Sequence, residues 1–167
     1  MNPQDVLPTN LARCLRALYI LCSYENFIAT VEDVEVHTLW AKSERKDAIP
    51  LLLPHGWPSP YTFCRSYKAS LLTLSICAPA GSFYEWHRII PRLTDPPSDQ
   101  DPAFHVVCVS QIGFFMSSPP PRSKWSMKDN ARIYDKIMVE LLGYKSYVAH
   151  GGDWVNRPLT RDHWAGR

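Results

Sequence analysis

The sequence predicts an α/β fold: a mostly parallel sheet with flanking helices. From residue 49 onward, short all-apolar runs alternate with stretches whose apolar residues recur at helical spacing. The first and last of those runs each end in a tight turn bearing Gly and Trp, and ligand chemistry in open parallel sheets sits at such carboxyl ends. Length and balance agree with one ordinary domain. The 167 residues are 46% hydrophobic and 20% charged, which disfavours disorder as a description of the whole chain.

The elements are taken in chain order. Thr9 or Asn10 caps a first helix whose stripe is Leu11, Leu15, Leu18 and Leu21–Cys22. From Phe27 the period changes to two. Phe27, Ala29 and Val31 alternate, then Val34, Val36 and Thr38, so two strands meet at the acidic turn Glu32-Asp33. After a charged connector, Ile49-Pro50-Leu51-Leu52-Leu53 is a strand buried on both faces, running into His55-Gly56-Trp57-Pro58. Ser82 and Glu85 form a capping box for a helix over 82–93, with Phe83, Trp86, Ile89–Ile90 and Leu93 inward and Pro91 ending or kinking it late. Residues 104–109 are a second buried strand. Ser126 and Asp129 open a third helix carrying Ile133, Ile137–Met138 and Leu141 on one face, with Gly143 just past its end. Residues 147–150 are a third strand, entering Gly151-Gly152-Asp153-Trp154.

Several classes of function are disfavoured. A formal charge of +2 is too balanced for a nucleic-acid partner or an anionic membrane surface. Five irregularly spaced Cys without CxxC, and six scattered His without HxxxH, argue against a disulfide framework or a metal site; no cofactor is expected. The longest apolar run near the N-terminus, residues 17–22, is far shorter than the ~20 residues that span a bilayer. No transmembrane segment or signal peptide is expected, and the chain reads as cytoplasmic; its oligomeric state is not legible.

Two motifs carry chemistry. Gly151-Gly152-Asp153-Trp154 has the form of a nucleophile elbow, a strained strand-to-helix turn that lifts one side chain above the sheet edge. Its reactive position holds Asp153, whose carboxylate can attack carbon and form an ester. An Asp capping a helix after a Gly-Gly turn is the plainer alternative. His55-Gly56-Trp57-Pro58 ends the first buried strand, where an oxyanion-hole loop lies in such folds; the candidate donors are the backbone N–H groups of Trp57 and Trp154. His55, Gly56, Pro58, Gly151 and Gly152 support the two turns.

Residues 24–154 resemble the microsomal-type epoxide hydrolases of the α/β-hydrolase superfamily. The resemblance rests on Asn26-Phe27-Ile28-Ala29-Thr30-Val31 with Val36-His37, on Ala48-Ile49-Pro50-Leu51-Leu52-Leu53 and His55-Gly56-Trp57-Pro58, and on Gly81-Ser82-Phe83-Tyr84-Glu85-Trp86. It continues through Ala103-Phe104-His105-Val106-Val107 and Leu142-Gly143-Tyr144-Lys145 to Gly151-Gly152-Asp153-Trp154. It implies a partial N-terminal epoxide hydrolase region over 1–47 and the first part of the hydrolase core over 48–167. It also implies a small-molecule epoxide as substrate: Asp153 attacks an epoxide carbon, and an activated water cleaves the ester to a vicinal diol. A haloalkane dehalogenase-like hydrolase and a non-catalytic remnant are the rival readings.

The sequence departs from that family in four places. Residues 59–80 intervene before the segment that normally follows His-Gly-Trp-Pro, and read as an insertion, a retained intron being the simplest origin. Val155 and Phe115 stand where the family has Gly. The sequence reaches Arg167 soon after the elbow, so neither the cap tyrosines nor the acid and general-base His of the family is identified within it. Tyr84, Tyr134, Tyr144 and Tyr147 are read as packing residues.

Overall fold

A computed structural model describes residues 19, 22–56 and 83–151. The first predicted helix lies almost wholly outside them, as do Val155 and residues 59–80, which the sequence reading takes as an insertion.

Strands β1 (Glu25–Val31) and β2 (Val34–Ala41) form the predicted hairpin, with Val31 opposite Val34. Its tip is tight enough to hold Glu32 at φ 53°, in the left-handed region. The Glu32 carboxylate accepts from Arg132 and lies 3.1 Å from Lys136 Nζ, which moors the tip to a distant helix and holds that carboxyl below the usual range. β3 (Ile49–Pro54) and β4 (Phe104–Val109) coincide with the two apolar runs, and β5 (Val148–Ala149) is a short third strand.

The five strands form one sheet in the order β1-β2-β4-β3-β5. β3 pairs parallel with β4 and with β5, whereas β2 pairs antiparallel with both β1 and β4. The hairpin therefore extends the parallel core and makes the sheet mixed. β3 lies between its two parallel neighbours, so the carboxyl ends of three strands converge on one edge.

Pleating sends alternate residues to opposite faces. Leu52, Val107, Val109, Val34 and Val36 pack with Ile133, Tyr134, Ile137 and Met138. Leu51, Leu53, Val106, Cys108, Leu39 and Ala41 pack with Phe83 and Ile90 on the other side. At ~25 cal/mol per Å² of apolar surface, these two layers supply the main drive to fold.

The helix expected over 82–93 is instead broken. Phe83–Trp86 is a 3-10 turn, and α1 is a separate helix over Ile90–Thr94 with Pro91 in its first turn. Proline has no N–H to donate and its ring crowds the carbonyl four residues back, so it starts a helix more readily than it continues one. The phase shift leaves Ile89 exposed while Ile90 is fully buried.

The third helix keeps its predicted start. α2 (Met127–Lys136) opens with a capping box in which Ser126 Oγ accepts from the Asp129 amide and Asp129 accepts from the Ser126 amide. It then widens into a π turn over Ile137–Leu141, where the Leu142 amide donates to Ile137 O. The extra residue in that turn rotates the chain beyond it. Leu141, expected inward, is 52% exposed, and Leu142 packs against the core in its place. Gly143 comes next at φ 75°, the left-handed end that the sequence predicts.

Candidate active site at the strand ends

β3 and β5 leave the sheet side by side. Leu52 pairs with Ala149, and the ladder continues through the His150 amide, which donates to Leu52 O at 3.0 Å. The segments that leave β3 at His55 and β5 at Gly151 therefore start from neighbouring strand ends. Of the residues singled out in the sequence, His55, Gly56 and Gly151 are described; Trp57, Pro58, Gly152, Asp153 and Trp154 lie outside the described residues. Gly151 is buried. The His150 ring meets Trp86 edge-on at 6.1 Å, which ties the end of β5 to the 3-10 turn.

His55 is completely buried, and its ring state is set by its partners. Nε2 lies 2.9 Å from the Gln111 amide nitrogen, a group that can only donate. Nε2 is therefore the bare acceptor, the proton sits on Nδ1, and Nδ1 donates to Gly56 O at 2.8 Å. Burial, partly opposed by that Gly56 contact, brings the imidazole pKa down to about 4. Held as a neutral ring with both nitrogens occupied, His55 is a structural bracket for the turn.

Gln111, just beyond the end of β4, completes the bracket. It is 3% exposed, and its Nε2 donates to His55 O at 2.5 Å and to Gly56 O at 3.3 Å. The sequence reading singled out Phe115 in the same loop but not this residue. The available signal was an amide side chain immediately after an apolar strand, where its neighbours point inward. Glu85, expected to close a capping box with Ser82, reaches the Gly56 amide with Oε2 at 3.4 Å.

A second buried polar group backs this one. The His37 amide donates to Ser117 Oγ, Ser117 Oγ donates to Ser110 O, and His37 Nδ1 lies 3.1 Å from Ser110 Oγ. The His37 ring packs against both Phe83 and Phe115, each at 5.1 Å, and burial lowers its pKa to about 4. Phe115 has φ 52°. The glycine usual there in the resembling family has a physical explanation: left-handed backbone costs a side-chain-bearing residue roughly 1–2 kcal/mol. Here that position carries an aromatic ring that reaches Phe83 at 5.5 Å.

The tyrosines are packing groups where they are described. Tyr134 is buried in the core, Tyr147 donates to Asp135 at 2.8 Å, and Tyr144 accepts from Trp40 Nε1 at 3.1 Å. Among the described residues no cluster of His, Cys, Asp and Glu could hold a metal ion, and no helix is long and apolar enough to cross a membrane.

Family comparison agrees with the topology. The model of the alpha/beta hydrolase fold matches residues 49–154, and that of the epoxide hydrolase N terminus matches residues 17–63. The chain belongs to the α/β-hydrolase fold family. Among α/β-hydrolases it is similar to Epoxide hydrolase 1 of Oryctolagus cuniculus, at 31% identity over 81% of this chain and 26% of that protein. Among solved structures it is similar to the Aspergillus niger epoxide hydrolase, with TM-score 0.60 and 29% identity over 84% of this chain and 31% of that one. It is also similar to the juvenile hormone epoxide hydrolase of the silkworm Bombyx mori, with TM-score 0.65 and 25% identity over 86% and 29%. This α/β-hydrolase chain thus spans about a quarter of the length of the curated relatives it matches.

Proposed function

We propose that the chain carries the nucleophile half of an epoxide hydrolase. A carboxylate oxygen of Asp153 attacks an epoxide carbon, the ring C–O bond breaks, and the released alkoxide takes up a proton to leave a hydroxyalkyl ester. Addition of water across that ester frees a vicinal diol and restores the carboxylate. The Trp57 and Trp154 amides hold the oxyanion formed when water attacks the ester carbonyl. One observation carries this reading: His55-Gly56 and Gly151 follow directly on adjacent parallel strands, in a chain similar to epoxide hydrolases over more than four-fifths of its length. The same reading divides the chain into 1–47, a partial N-terminal region, and 48–167, the start of the core, with 59–80 as an insertion. The family matches to residues 17–63 and 49–154 support the order of the two regions, and they overlap over 49–63.

Incubating the purified chain with styrene oxide and digesting it tests the chemistry. The expected product is a peptide containing Asp153 that has gained the mass of one epoxide, absent from Asp153→Asn. Equal labelling of the Asn variant, or labelling by an alkyl halide alone, would overturn the proposal.

A further inference from the structure

We infer that Gln111 is a positioning residue for the oxyanion loop, acting through the Gly56 carbonyl; the inference rests on the reading of Trp57 as an oxyanion donor. A peptide unit is planar and trans, so its N–H points opposite to its C=O. The carbonyl of Gly56 and the amide nitrogen of residue 57 belong to one such unit. Whatever fixes the Gly56 oxygen therefore fixes the direction of the next N–H. Two donors fix it here: His55 Nδ1 at 2.8 Å and Gln111 Nε2 at 3.3 Å.

Gln111 is the common element of this arrangement. Its side-chain amide also holds the preceding carbonyl, of His55, and its backbone amide occupies His55 Nε2. The last contact forces the His55 proton onto Nδ1, the nitrogen that faces Gly56. A single residue thus sets the tautomer of one donor and is itself the other. The orientation of its amide is dictated by the two carbonyls it faces, which only an NH₂ can satisfy. Glu85 reaches the Gly56 amide, so the units on both sides of this residue are held by groups from outside the loop. Donors aimed before the reaction need no reorganisation when charge develops, and that is the source of their catalytic value.

Gln111→Met keeps the length and removes the side-chain donors, leaving the backbone amide on His55 Nε2. Isotope-labelled protein should show the Gly56 carbonyl carbon and the residue 57 amide nitrogen both shifted in the variant, because each resonance reports hydrogen bonding at that carbonyl. Resonances of Ile133, on the opposite face, should stay in place. In the same samples, hydrolysis of the styrene oxide ester should slow at least tenfold while affinity for the epoxide is unchanged. Unmoved Gly56 and residue 57 signals overturn the inference, as does hydrolysis at the parent rate. If the parent forms no ester but the signals move as stated, the functional reading fails and the positioning role of Gln111 stands.

Discussion

The two faces of the sheet are built from the same strands and covered in different ways. On one, α2 and its π turn form a continuous lid, opened by a capping box and tied to the hairpin tip through Glu32, Arg132 and Lys136. On the other, the cover is a four-residue 3-10 turn, the five-residue α1 and the loop around Phe115. A long helix satisfies most of its own backbone. Short pieces cannot, and buried backbone groups left over must find side chains. The site face accordingly holds the side chains of His55, Gln111 and Ser117 in its interior, each bonded to main chain, and Ser117 takes up the backbone amide of His37. The difference teaches that this face is shaped around fixed peptide groups, and the α2 face around apolar packing.

The largest test of that contrast is a pair of matched truncations. Ile133→Ala and Ile90→Ala each remove a fully buried side chain. Ile133 sits in a helix held at both ends, so its cavity stays open and the loss should fall near the top of the usual range of about 2–5 kcal/mol. Ile90 begins a five-residue helix that can settle into the space, and should fall near the bottom. Urea unfolding measures both; equal losses would show that the two covers are equally rigid.

Acid should sharpen the contrast next. His37 and His55 have pKa values of about 4 in the fold against an ordinary 6.5. Between those values the unfolded chain binds more protons than the folded one, so stability falls as pH drops through 6.5 toward 4 and is complete above 6.5. Each group contributes up to about 1.4 kcal/mol per pH unit within the window. Replacing His37 with Leu should remove somewhat under half of the slope between pH 5 and 6, because burial also lowers His105. A slope that survives intact in His37→Leu would place the sensitivity elsewhere.

The smallest effect reverses a general rule. Alanine is normally the more stabilising residue when Ala and Gly are exchanged, because Gly gives the unfolded chain more freedom. At φ 52° the order should invert, with Phe115→Gly more stable than Phe115→Ala by about 1 kcal/mol. Thermal midpoints of the two variants decide it, and the usual order would mean the loop does not hold that conformation in solution.

Much of this architecture is legible without coordinates. The alternation at Phe27, Ala29 and Val31 gives β1, the apolar runs give β3 and β4, and Ser126 with Asp129 marks the start of α2. Those signals are local, since each depends on side-chain spacing or on a cap within one turn. The misread features depend on phase. Pro91 opens α1 where a late stop was expected, and the π turn moves Leu141 outward and Leu142 inward. Neither shift leaves a mark in apolar spacing. The site was legible as two turns, whereas the residues bracketing the first of them, Gln111 and Glu85, lie 55 and 29 positions from Gly56.

By itself the sequence determined the α/β class, the strands that carry it and the cap that opens α2, because apolar period and capping chemistry are written in neighbouring side chains. Only the tertiary structure decided that β3 lies between β4 and β5, that His55 is neutral with its proton on Nδ1, and that Gln111 holds the Gly56 carbonyl. Those outcomes rest on contacts across long separations, where a hydrogen bond's value is set by burial and by the partner that chain folding brings to it.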